Sequence, residues 1–253
     1  MKNLFVHKAI VLLSFVFCIY VNYISNAWPL NGFTAGALSD LYPNQFTPAG
    51  FTFAVWGVIY LSASIALTLM IISKTDETKT KWYYQFTVIN TLNAAWLFAW
   101  HYQKLPISVM IMVILLIMLI SLYTSVRENA THSNARRGLA IMSSFYLSWI
   151  SVALVANITT LLVKYQFLTG NTQIESLIAG LLLTVALVIC FWLTRVYKDF
   201  LHPLVLAWAS FGVYSKATSF SVNDNTPIVI TAQIVIVLSI FISIRNARSK
   251  IML

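Results

Sequence analysis

Residues 106–126 read PISVMIMVILLIMLISLYTSV, a run without a single charged side chain. About 20 apolar residues in helical form cross the hydrocarbon core of a bilayer. A backbone in lipid has no water to bond, so it satisfies its own N–H and C=O groups as a helix. Working outward from this run, seven more apolar stretches follow the same rule. The eight span 9–24, 50–73, 82–101, 106–126, 139–163, 174–194, 200–215 and 227–244. The connectors are short except for 25–49, where Pro29, Gly32, Gly36, Pro43 and Pro48 predict an ordered, irregular loop and no helix. The fold class is therefore all-α, a polytopic transmembrane bundle of about eight helices.

Composition agrees. The 253 residues are 59% hydrophobic and 9% charged, with a mean hydropathy of +0.80. Soluble domains carry roughly a quarter charged residues, and so little chain lies between the runs that no soluble domain fits. Charge segregation tests the helix count. One set of ends holds Lys2 and Lys8, then Lys74, Lys79 and Lys81, then Arg127, Arg136 and Arg137. The same side continues with Arg195 and Lys198, and ends with Arg245, Arg248 and Lys250. Only Lys104, Lys164 and Lys216 fall on the other side. Lys and Arg mark the cytoplasmic face, so both termini are expected there, in a membrane of the bacterial inner (cytoplasmic) type. Adding or dropping one helix would scramble the pattern. The same logic assigns the net charge of +9 to helix ends and not to nucleic acid.

The first run leaves two readings. Its basic flank followed by Ser25-Asn26-Ala27 suits a cleaved signal peptide. Tyr20, Asn22 and Tyr23 suit a retained helix end, which is the favoured reading.

The interiors hold almost no carboxylate. Asp40, Asp76, Glu77, Glu128, Asp199 and Asp224 lie in connectors or at helix ends, and Glu175 lies at the mouth of the sixth run. Proton relays and ion pathways use intramembrane ionisable groups, so a carboxylate-driven pump is disfavoured. No nucleophile triad, zinc motif or phosphate loop is present, and no enzyme activity, metal or resident cofactor is expected. Cys18 and Cys190 sit inside apolar runs and do not form a disulfide framework. His7, His101, His132 and His202 read as interfacial, and Lys216 as a snorkelling lysine rather than a Schiff-base one.

What remains is aromatic and amide patterning. Phe53, Trp56 and Tyr60 share one helical face, as do Asn93, Trp96 and Trp100, with Asn90 one turn earlier. Tyr146, Trp149 and Ala153 repeat the spacing, with Asn157 one turn further. Such stripes serve either as packing surfaces, with the amides bridging helices, or as walls of a flat apolar cavity. The second arrangement suits a planar hydrophobic ligand.

At these residues the chain resembles the tryptophan-rich sensory protein family, also called translocator-protein-like (TspO/MBR). Its second helix is entered through a proline-rich segment and an aromatic-x-x-Trp-x-x-x-Tyr pattern, matched by Thr47-Pro48-Ala49-Gly50-Phe51-Thr52-Phe53-Ala54-Val55-Trp56 and Tyr60. Asn90, Asn93 and Trp96 resemble the third-helix motif; Tyr146, Trp149, Ala153 and Asn157 resemble the fifth. The resemblance implies a five-helix core over residues 1–165, with residues 166–253 adding three helices and a short basic tail. It also implies that the long loop caps the pocket, with Trp28 contributing. Paired prolines are reduced to Pro48-Ala49, Asn90 replaces a Gln, and the aromatics before Trp56 are shifted by about a residue.

The implied function is a membrane-embedded sensor or carrier binding a tetrapyrrole such as protoporphyrin IX. Its partners are then the lipid bilayer and a hydrophobic small molecule. The expected ligand-binding set is Phe53, Trp56, Tyr60, Asn93, Trp96, Trp100, Tyr146, Trp149, Asn157 and Trp28. The alternative is a secondary transporter of a small uncharged or lipid-like metabolite. A third class is a homodimer joined through aromatic faces, for which Ala179-Gly180 offers only a weak close-approach motif.

Overall fold

The computed structural model describes residues 2–73, 80–129, 133–168, 172–219 and 226–251. Lys74, Asp76, Glu77, Lys79, His132 and Asp224, all assigned to connectors, lie outside them. The described residues form nine α-helices and no strand: α1 (Lys2–Ala27), α2 (Ala35–Asp40), α3 (Val55–Ile72), α4 (Thr80–His101), α5 (Leu105–Arg127), α6 (Asn134–Lys164), α7 (Thr172–Tyr197), α8 (Leu201–Ser219) and α9 (Thr226–Ile251). Eight of these are the long helices expected. The ninth, α2, corrects the reading of 25–49 as free of helix. Between Gly32 and Pro43 no proline interrupts the chain, and the Thr34 hydroxyl accepts from the Ala37 N–H at 3.2 Å as an N-cap.

Six described helices are long and apolar enough on their own to cross a membrane. The two long helices that fall short are α4 and α8, and their burial explains why. A helix packed among others shows lipid little of its surface and can carry polar groups inward. Side chains such as Leu13, Val16, Leu61, Ile117, Leu181 and Phe241 stand exposed on the other helices. So much apolar surface requires lipid to cover it. The chain is an integral, multi-pass membrane protein.

The chain forms two compact units, Met1–Leu38 with Trp56–Leu147, and Ser39–Val55 with Ser148–Leu253. In the first, α4 packs between α1 and α5. Trp82 Nε1 donates to Ser125 Oγ at 2.9 Å, and Gln85 Nε2 to Ser121 Oγ at 2.8 Å. The Lys8 ammonium donates to the Ile71 carbonyl at 2.6 Å and the Ser73 carbonyl at 3.2 Å, placing a cation on the C-terminal end of α3. Pro106 sits in the first turn of α5, where its missing N–H costs nothing. At the other end of α5 the Arg127 guanidinium lies 3.5 Å from the centroid of Tyr123. It also donates to Ser143 Oγ and the Ala140 carbonyl of α6.

In the second unit α8 packs on α9 and α7. Asp199 caps it, accepting from the Leu201 N–H at 2.9 Å. The segment leading into α3 is fastened to α8. The Ala49 N–H donates to the Gly212 carbonyl at 3.0 Å, Trp208 Nε1 donates to the Thr52 carbonyl at 3.0 Å, and Phe51 meets Trp208 and Phe211 edge-on and tilted. Gly180 approaches Thr231 of α9 so closely that a Cβ would lie 3.0 Å from its hydroxyl. The Ala179-Gly180 step is thus used within the chain.

Lys216, expected to snorkel, donates to Asp40 Oδ1. Asp40 is 64% exposed, so solvent screens the pair. Lys216→Met is expected to change unfolding free energy in detergent by less than about 1 kcal/mol. A loss well above that, read by denaturant titration, would mean that the pair anchors the loop.

Candidate ligand site

The stripes of α3, α4 and the first half of α6 come together within the first unit. Trp56 stacks on Tyr60 with centroids 5.4 Å apart and planes at 16°. It also stacks on Trp96 at 5.9 Å and 27°, and Trp96 stacks on Trp100 at 6.3 Å and 26°. Tyr146 meets Trp56 edge-on at 5.7 Å and 78°. The result is a column of four rings from two helices, braced by a fifth from α6. The i, i+4 spacing of Trp56 with Tyr60, and of Trp96 with Trp100, produces two rings per helix on one face.

Beside the column lies a polar cluster. Asn93 Oδ1 accepts from Asn22 Nδ2 at 2.8 Å and from the Cys18 thiol at 3.2 Å. The Tyr60 hydroxyl donates to Asn22 Oδ1 and lies 3.3 Å from Asn93 Oδ1. One turn earlier, Asn90 Nδ2 donates to Ser14 Oγ at 3.2 Å. The amides therefore join α1, α3 and α4, which is the bridging role open to them.

Bridging does not use every polar atom. Asn93 Nδ2 and Trp96 Nε1 are buried without a hydrogen-bond partner, in residues 0% and 5% exposed. The Tyr146 hydroxyl lies beside Asn93 but does not reach regular hydrogen-bond geometry. Buried polar atoms in native proteins are nearly always paired, and these three stand beside the aromatic walls. Alongside, a shallow groove of about 350 Å³ between α1 and α3 is lined by Phe15, Val16, Ile19, Tyr60, Leu61 and Ser64. That volume lies at the small end of the usual range for ligand sites, about 300–1,000 Å³.

The remaining expected residues add no ring to this column. Phe53 and Trp149 belong to the second unit, where they meet edge-on at 5.8 Å. Asn157 is buried in the same unit. Trp28 is 73% exposed and touches Tyr23 edge-on, so it does not join the column. The loop after α1 is nonetheless tied to the column's end. Trp100 Nε1 donates to the Ala35 carbonyl at 3.2 Å, and Asn31 Nδ2 donates to the His101 carbonyl at 3.1 Å. His101 and His202, expected at the interface, are buried at 0% and 3% exposure. The first closes on its own helix, with Nδ1 2.8 Å from the Leu97 carbonyl oxygen. Among the described residues no group of three or more His, Cys, Asp or Glu is placed to hold a metal ion.

Reading the residues had missed Cys18 and Asn22 as site members. A signal was available, because Ser14, Cys18 and Asn22 recur every fourth position and so form a polar stripe on an otherwise apolar helix. No curated protein and no solved structure matches the chain. The TSPO-like protein family model matches residues 8–245, a span running from the first turns of α1 into the last turns of α9 and including the three C-terminal helices. With an aromatic column and buried amides on the helices that bear the motifs, and a family match over nearly the whole chain, this protein belongs to the TSPO-like protein family.

Proposed function

We propose that this chain is a membrane-embedded binding protein, a sensor or carrier, for a planar hydrophobic ligand of the tetrapyrrole kind. The family supports ligand binding in a membrane in general. The observation that carries the finer reading is the column of Tyr60, Trp56, Trp96 and Trp100 standing beside buried, unpaired donors. Flat rings recognise flat rings by stacking, and the open N–H groups orient what stacks. The reading includes a retained first helix, because Cys18 and Asn22 belong to the cluster, and places both termini on the cytoplasmic face by the positive-inside rule. It is a reading of binding and not of catalysis, since no carboxylate lies within seven positions of Asn22, Trp56, Tyr60, Asn93, Trp96 or Tyr146.

Titrating purified protein with protoporphyrin IX is expected to quench tryptophan fluorescence saturably. Trp96→Phe, in the column, is expected to weaken the binding several-fold, and Trp149→Phe, in the second unit, to leave it within about twofold. Unsaturable quenching in a folded sample would remove the tetrapyrrole reading. Weakening by Trp96→Phe alone would confine the site to the first unit.

A second reading is a secondary transporter of a small uncharged or lipid-like metabolite, which the lack of carboxylates inside the apolar runs leaves open. Ligand-dependent flux into sealed vesicles would favour it; tight binding without flux would favour the sensor.

A further inference from the structure

Within the second unit two guanidiniums converge on one aromatic ring, Phe191, at the seam between α7 and α9. Arg195, one turn further along α7, and Arg245 of α9 each place the guanidinium carbon 5.9 Å from its centroid. The ring's quadrupole attracts a cation at that range, and the two charges stand no further apart than twice that distance. Like charges so placed repel each other, and the residues around them do not neutralise them. Arg245 donates to a neutral amide oxygen, Asn246 Oδ1, at 3.4 Å. Neither arginine forms an ion pair among the described residues. Asp199 is the only carboxylate within seven positions of either along the chain. It is 2% exposed and caps α8, accepting from the Leu201 N–H at 2.9 Å.

The positive-inside rule explains why cations gather at this end, but it does not require two of them to meet on one ring. The C-terminal carbonyls of α7 attract Arg195, whereas Arg245 stands well inside α9, which runs on to Ile251. Cations at other helix ends are tied to the chain. Lys8 donates to two carbonyls at the end of α3, Arg127 to Ser143 and Ala140, and Arg136 to the Val126 carbonyl at 3.3 Å.

Away from the arginines the two helices turn apolar. Val188 and Phe191 of α7, and Val237 and Phe241 of α9, stand exposed. Their spacing of three or four residues continues each row to Arg195 and to Arg245. A cationic head above apolar rows matches the form of a phospholipid. A phosphodiester accepts paired N–H bonds from guanidinium forks, and its chains cover rows that need lipid.

We propose that Arg195, Arg245 and Phe191 form a site for the phosphate of an anionic phospholipid whose acyl chains lie along α7 and α9. Phosphatidylcholine carries its own cation and so offsets the arginine pair poorly; phosphatidylglycerol, with a net negative charge, does not have that handicap. The site uses no residue of the aromatic column and does not depend on what the column binds.

The test titrates the full chain in non-ionic detergent with dioleoylphosphatidylglycerol or dioleoylphosphatidylcholine and counts bound lipid by native mass spectrometry. The first phosphatidylglycerol is expected to bind at least about tenfold more tightly than phosphatidylcholine, and Arg245→Gln alone to weaken it about fivefold. Arg195→Gln combined with Arg245→Gln is expected to bring it within about twofold of phosphatidylcholine. Phosphatidylcholine binding stays unchanged and reports a folded protein. Lys198→Gln combined with Arg248→Gln removes as much charge from the same region and is expected to keep the preference within about twofold. Equal loss in the two double variants assigns the preference to diffuse charge and overturns the inference. A wild-type protein without the preference, or an Arg245→Gln protein that binds as wild type, overturns it as well. Displacement of the lipid by excess inorganic phosphate at constant ionic strength marks a free-anion site and overturns the lipid assignment.

Discussion

Trp56→Ala is expected to lower the unfolding free energy in detergent by about 3 kcal/mol and to abolish saturable binding of a planar ligand. Trp56 is the ring on which the site converges. It stacks on Tyr60 on its own helix and on Trp96 of α4, and it meets the edge of Tyr146 of α6. Removing it deletes three aromatic contacts, each contributing about 0.5–1.5 kcal/mol beyond simple burial, and leaves a void between three helices. The estimate sits at the lower end for tryptophan because the side chain is only partly buried. Trp56→Phe should recover at least half of the stability. The informative comparison is Tyr146→Ala alone and combined with Trp56→Ala. If the two rings act as one wall, the double variant loses less than the sum of the singles. Strict additivity would mean that the column is a set of independent packing contacts, and the site would lose its central argument.

How far the site was legible follows from which forces act locally. The long apolar runs and the basic helix ends answer to the bilayer, which acts on each segment separately, so the eight long helices could be read one by one. The i, i+3, i+4 spacing likewise places Trp56, Tyr60, Trp96 and Trp100 on faces before any neighbour is known. Which faces meet is a tertiary matter. Nothing in the residues around Phe53 and Trp149 tells that they pair with each other in one unit while Trp56 and Tyr146 pair in the other. The boundary between Leu147 and Ser148 falls inside a continuous helix, where no turn residue or change of composition marks it. Trp28 illustrates the opposite case. The family resemblance implied a capping loop with Trp28 contributing, yet the loop is held by Asn31 and the Ala35 carbonyl, and the indole is 73% exposed. Cys18 and Asn22 escaped because a single small polar residue per turn hardly changes the hydropathy of a membrane helix. Only the partner Asn93 gives them meaning.

The same dependence on tertiary neighbours makes Gly212 the most sensitive backbone position of the second unit. A Cβ added there would lie 2.0 Å from Thr52 Oγ1 and 2.9 Å from Thr52 Cγ2. Thr52 is 0% exposed and β-branched, so its side chain cannot swing aside freely. Its backbone is also held in place, by Trp208 Nε1 on its own carbonyl and by the Ala49 N–H on the Gly212 carbonyl. Gly212→Ala would gain about 1 kcal/mol of helix propensity on an exposed helix. Here the overlap must push the 49–53 segment off α8, and overpacking of this kind costs about 1–3 kcal/mol. The expected net result is destabilisation despite the better helix former, read as a lower unfolding midpoint in detergent. Thr52→Ala removes the two nearest atoms that the new methyl would strike and keeps Thr52 Cβ, 3.0 Å from it. The double variant should therefore lose much less relative to Thr52→Ala than Gly212→Ala loses relative to the wild type. If Gly212→Ala stabilises the wild-type background, the close approach of segment 49–53 to α8 does not exist in the protein, and the C-terminal helices do not hold the entrance to α3.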